Sequence, residues 1–176
     1  MPPIPLADEY MSRFRRELAQ GAPGRSGAGI PPAARTWTWG STVHFRIGEP
    51  WHHLLPSGWS HAEPAYTWSD GRQGVLELEA PPEHRDVLVR LAYVPFLHGP
   101  VVRQRFRIAH DHRPIGDFTA TATGEATVVI LAPPSGRRAL RLIWEFPDAA
   151  SPAELGLAGD YRKLAIALVS VTANLL

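Results

Sequence analysis

Arg103-Gln104-Arg105-Phe106-Arg107-Ile108 sets three arginines on one side of an extended chain and Gln104, Phe106 and Ile108 on the other. A period of two is the signature of a half-buried strand, because successive side chains point to opposite faces. The same period recurs on both sides of this stretch. It runs from Val43 to Ile47 and from Val75 to Glu79, where Leu76 and Leu78 face inward. From Val87 to Val94 it puts Val87, Val89, Leu91 and Tyr93 on one face. Ile115 to Ala122, Ala126 to Leu131, Ala139 to Phe146 and Lys163 to Thr172 complete eight strands. In the seventh, Leu140, Leu142, Trp144 and Phe146 share a side opposite Arg141 and Glu145. Turn signals (Pro81-Pro82, Gly99-Pro100, Pro133-Pro134-Ser135-Gly136) separate the strands and no helical period falls between them. The pattern predicts an all-β fold, an antiparallel two-sheet sandwich of jelly-roll type, over residues 36–176. The last strand, apolar on both faces, is expected to be central or covered on its outer side.

Residues 1–35 read differently. Ala7 to Gln20 carries Tyr10, Met11, Phe14 and Leu18 at helical spacing, and Gly21 to Pro32 (GAPGRSGAGIPP) is a flexible linker with a stiffer proline end. A helix this short is marginal in water. Its stripe is therefore expected to dock, either on its own domain or, as a tether, on a protein partner.

Composition excludes several classes. The 176 residues include no Cys, which rules out disulfides and cysteine-held zinc. A formal net charge of +1 leaves no basic excess for phosphate contacts, so nucleic acid is not expected as a partner. No apolar run reaches the roughly 18 residues of a membrane span, and Met1 to Tyr10 lacks a signal-peptide pattern. These readings give the expectation of a soluble protein made in the cytoplasm, with display on a released particle still open. Only Lys163 of the 18 Lys and Arg residues is a lysine, a bias that base composition explains as well as function.

Chemistry concentrates in two segments: Gly58-Trp59-Ser60-His61-Ala62-Glu63-Pro64 with Tyr66-Thr67-Trp68-Ser69-Asp70-Gly71, and Asp148-Ala149-Ala150-Ser151-Pro152-Ala153-Glu154-Leu155-Gly156 with Asp160-Tyr161-Arg162. These paired motifs resemble a β-sandwich domain of bacterial surface-polysaccharide systems that is often appended to glycosyltransferases. The likeness spans about Thr36 to Val171 and includes Trp39-Gly40 at the opening of the domain and Gln104 in a middle strand. It departs at the hairpin Asp111-His112-Arg113, where that family favours Asn-Gly. The resemblance implies a β-sandwich fold and an association with polysaccharide.

The residues themselves suit sugar. Trp59, Tyr66 and Trp68 offer flat faces for pyranose stacking, Glu63 and Asp70 accept from hydroxyls, and Arg103 and Arg105 can pair with uronate carboxylates. The same residues also suit a loop that caps a sandwich, with buried Trp plugs and with Glu63 or Asp160 paired to Arg162. His52-His53 and His110-Asp111-His112 lack a third ligand, and Asp70, Asp148 and Asp160 form no dense calcium loop, so neither a metal nor another cofactor is expected. Ser60-His61 is too local for a nucleophile–base pair, and Gly-x-Ser-x-Gly is absent. The expected function is a non-catalytic module binding bacterial surface or capsular polysaccharide, held on a phage-like spike or fibre or in a polysaccharide-synthesis complex. Oligomerisation would add avidity. A purely structural assembly domain is the alternative, and a polysaccharide hydrolase or esterase the third reading. Burial of both Trp59 and Trp68 with no open groove beside them would favour the structural reading over the first.

Overall fold

The computed structural model describes residues 37–133, 136, 138–157 and 159–176. The predicted N-terminal helix and linker lie outside them, and so does the candidate docking stripe Tyr10, Met11, Phe14 and Leu18. The described chain contains nine strands: β1 Thr42–His44, β2 Thr67–Trp68, β3 Gln73–Glu79, β4 Val87–Pro95, β5 Gln104–His110, β6 Arg113–Ala120, β7 Gly124–Ile130, β8 Ala139–Glu145 and β9 Ile166–Leu175. A short 3₁₀ turn, Pro50–Leu54, follows β1. No described helix is long and apolar enough to cross a membrane.

With the two-residue β2 set aside, the strands pair as one long nested hairpin. β5 pairs β6, β4 pairs β7, β3 pairs β8 and β1 pairs β9, all antiparallel. Successive rungs fall in opposite sheets, giving the orders β1-β9-β4-β7 and β3-β8-β5-β6. That is jelly-roll topology, which closes a core between two sheets. The inward sets read from the period of two fill it. Gln104, Phe106 and Ile108 of β5, Leu140, Leu142 and Trp144 of β8, and Val87, Val89 and Leu91 of β4 are all buried. Phe106 and Trp144 stack at 5.6 Å.

Several expected bounds shift; β6, for one, runs Arg113–Ala120 rather than Ile115 to Ala122. β1 stops at His44 rather than Ile47, because the Ile47 amide leaves β9 and donates to the Glu63 carbonyl, 2.9 Å away. β9 starts at Ile166 rather than Lys163, since Leu164 pairs instead with Ala150. β2 was not expected; Thr67 and Trp68 pair with Leu168 and Ala167, and two residues are too few to show a period. β9 is central, as its two apolar faces require, lying between β1 and β4. Its outer side is covered near its start by a second apolar cluster of Tyr66, Trp68, Phe96, Leu164 and Ala167.

The hairpin Asp111-His112, where the sequence departs from Asn-Gly, still turns in two residues. Asp111 and His112 have φ of 50° and 63°, and His110 pairs Arg113. A type I′ turn requires positive φ at both central positions, and Asp tolerates it better than most residues.

Candidate functional site

The first motif builds one end of the sandwich from backbone upward. Gly58 has φ +76°, and a Cβ there would lie 2.0 Å from the Gln73 carbonyl oxygen. The loop therefore approaches β3 at a distance only glycine permits. That approach drops Trp59 onto the core, where its Nε1–H donates to the Val75 carbonyl at 3.0 Å. The indole meets Trp144 and Phe146 edge-on at 5.7 and 5.8 Å. Gly74 leaves the space, since a Cβ on it would come within 2.9 Å of Trp59 Nε1. Trp59 is 9% exposed.

Tyr66 and Trp68, 5% and 2% exposed, belong to the second cluster. Their rings meet edge-on at 5.3 Å, and Trp68 meets Phe96 at 6.0 Å. Around them the polar residues of the motif serve the backbone. Thr67 Oγ1 donates to the Phe45 carbonyl, and Ser69 Oγ accepts from the Ala165 and Ile166 amides at 2.8 and 3.3 Å. Ser69 thus fills the gap in the ladder where β9 begins. Trp59, Tyr66 and Trp68 are consequently not stacking platforms: burying an indole or phenol ring removes the flat face that a pyranose needs. The capping reading of the motif holds for all three. Ser60 Oγ donates to the His61 carbonyl at 3.2 Å rather than to an imidazole.

The second motif is a loop fastened from within. Ser151 Oγ donates to the Asp160 carbonyl at 3.0 Å, its amide donates to Glu154, and Glu154 pairs with Lys163. Arg162 grips the Asp160 carboxylate through Nε (3.0 Å) and Nη2 (2.6 Å) and reaches Glu63 Oε1 through Nη1 at 3.3 Å. All three side chains are mostly buried. Burial pushes the Asp160 carboxyl up, but Arg162's hydrogen bonds and charge outweigh it and hold the carboxyl below its usual range. Burial likewise pulls the Arg162 guanidinium down, and Asp160 and Glu63 more than restore it. This cluster joins the two motifs: of the two readings the sequence offered for Glu63, a sugar contact or an Arg162 pairing with Glu63 or Asp160, the structure shows Arg162 paired with both carboxylates. Between its members in sequence, Tyr161 turns outward and is 80% exposed. Sequence reading passed over Tyr161 as a site residue. The available signal was an aromatic flanked by two charged residues that pair inward. Asp70 and His61 are exposed nearby: the Gly71 amide donates to the Lys163 carbonyl, and His61 is close enough to lower Asp160.

The arginine ladder of β5 is largely spent on carboxylates of its own chain. Arg105 holds Asp148 through Nε at 2.7 Å and Nη2 at 2.6 Å, while its amide donates to the same group. Hydrogen bonding to Arg105 draws the Asp148 carboxyl down, against an opposing push from burial. Arg107 pairs with Asp117 at 2.9 Å. Arg105 is therefore not free to grip a uronate; Arg103 is exposed at the foot of the ladder. His110 is buried and His112 exposed, and no group of three or more metal-ligating side chains comes together among the described residues.

No family model matches the chain, and no curated protein matches it. Solved structures with some likeness include a family GH115 4-O-methyl-α-glucuronidase with specificity for decorated arabinogalactans (TM-score 0.47, 10% identity, 86% of this chain and 20% of that one). Two others are the CBM36-1 domain of a multidomain xylanase from the hindgut metagenome of Trinervitermes trinervoides (TM-score 0.38, 8% identity, 79% and 89% covered) and the xylan-binding module CBM15 (0.36, 12%, 77% and 97%). The chain spans a fifth of the glucuronidase's length. At such identities and TM-scores these likenesses carry no argument about function.

Proposed function

We propose that the domain is a non-catalytic carbohydrate-binding module whose ligand is a bacterial surface or capsular polysaccharide, met at the loop end around Tyr161. The supporting observation is a large aromatic ring, 80% exposed, on a loop already fixed by the Ser151–Asp160, Glu154–Lys163 and Asp160–Arg162–Glu63 contacts. A flat ring takes the C–H face of a pyranose, and a loop ordered beforehand loses little entropy on binding. Asp70 and His61 supply a polar rim for hydroxyls. Glu63 is engaged by Arg162 and the Ser60 hydroxyl by backbone, which suits binding rather than turnover. Display on a larger assembly, a phage-like particle or a polysaccharide-synthesis complex, would multiply a weak single site by avidity.

Titration of the intact chain against immobilised capsular polysaccharides tests this. Tyr161→Ala is expected to weaken binding about tenfold, the equivalent of roughly 1.4 kcal/mol, with the melting temperature unchanged. No binding at high valency, or equal affinity in the variant, overturns it. The burial of Trp59, Tyr66 and Trp68 favours the second reading, a structural assembly domain, which predicts no glycan binding at all.

A further inference from the structure

We infer that the edge of β7 pairs antiparallel with β7 of a second copy of this chain, about a two-fold axis at Ala126. The two β1-β9-β4-β7 sheets would then run on as one. An edge strand presents unpaired N–H and C=O groups along its outer side, and proteins ordinarily blunt it. Among the described residues, β1, β3, β6 and β7 lie at sheet edges. β1 is three residues long. β3 is partly covered, since the Val75 amide donates to the Ser57 carbonyl at 2.9 Å. β6 carries Pro114, which has no N–H, where its register against β5 shifts. β7 has none of these devices. Its seven residues, Gly124–Ile130, include no proline or lysine and keep an unbroken register with β4. No described strand pairs with its other side.

Charge on the outer face selects both the partner and the register. Arg90 of β4 and Glu125 of β7 are exposed, and neither makes an ion pair among the described residues. Within one chain, Arg90 sits opposite Thr127 and Glu125 opposite Ala92. In an antiparallel pair centred on Ala126, Glu125 lies opposite the partner's Thr127. The next strand in that row carries the partner's Arg90. Two strand spacings, about 10 Å, separate the two backbones, a span that a glutamate and an arginine side chain cover together. The two-fold axis repeats the contact, so a single interface makes two Glu125–Arg90 pairs. Glu125 is the only charged residue of β7, so like charges, which destabilise when directly opposite, do not meet across the pair. A second copy thus brings the cation that this edge lacks.

Sedimentation equilibrium of the full chain tests this through a charge swap. The unaltered chain is expected to show the mass of two chains, falling to one on dilution. Glu125→Arg alone and Arg90→Glu alone each set like charges against each other at both contacts, and each is expected to weaken dimerisation about tenfold. An equimolar mixture of the two variants restores opposite charges at both contacts and is expected to recover the dimer. Hydrogen exchange should show the outward amides of Gly124–Ile130 slowing as the dimer forms. A single-chain mass at every concentration overturns the proposal. So does an association that the single reversals leave unchanged, or that the mixture fails to restore, since either assigns the contact to another surface. None of these results depends on Tyr161 or on any glycan.

Discussion

Trp59 and Trp68 illustrate how little a residue type says without its surroundings. Each is flat and large, Trp59 set between Gly58 and Ser60 and Trp68 followed by Ser69-Asp70-Gly71, the composition of a sugar platform and equally that of a loop plug. The choice is made by neighbours far along the chain: Trp144, Phe146 and Gly74 for Trp59, and Phe96 for Trp68. Truncation of a buried indole leaves a cavity, so Trp59→Ala and Trp68→Ala are each expected to cost about 3–5 kcal/mol, read from urea unfolding. A stable Trp68→Ala protein that merely lost a ligand would reverse the assignment. The carboxylates of Asp148 and Asp160 act with a defined sign. Both titrate below the ordinary aspartate value in the fold. Their ion pairs are therefore complete above the unfolded value of about 3.9, and are lost as pH falls through the lower folded values. Urea midpoints should drop between neutral pH and pH of about 3, and Asp160→Asn should flatten that drop.

At the scale of elements, alternation carries the sequence a long way. In β5 and β8 each inward residue read from the period of two is buried, since one buried face dictates the register of a strand. The period is silent where the contact is side chain to backbone. Ser69 completes the start of β9 by accepting two amides, a role no spacing could reveal because its partners lie nearly a hundred residues on. Ser69→Ala would leave those buried amides unpaired and is expected to cost about 1–3 kcal/mol, with faster hydrogen exchange at Ala165 and Ile166. β2 escaped for a related reason: it is held by pairing with β9, not by a face of its own.

For the whole molecule, the nested pairing joins β1 to β9, the two strands farthest apart in the described sequence. Folding dominated by such distant pairings is expected within the millisecond-to-second range typical of all-β domains, which stopped-flow Trp fluorescence can follow. A microsecond phase carrying the full amplitude would contradict this. The amino-acid order alone determined the all-β class, the inward faces and that the last strand is central or covered on its outer side, and it offered an Arg162 pairing with Glu63 or Asp160 as one of two readings. Those properties follow from local periodicity and from the scarcity of ways to bury charge. Only the tertiary structure decided that three aromatics plug the fold, that Arg105 is taken by Asp148, and that Tyr161 alone of the motif aromatics meets solvent. Whether a ring is covered depends on what the rest of the chain brings against it, and that is a property of the assembled sheets.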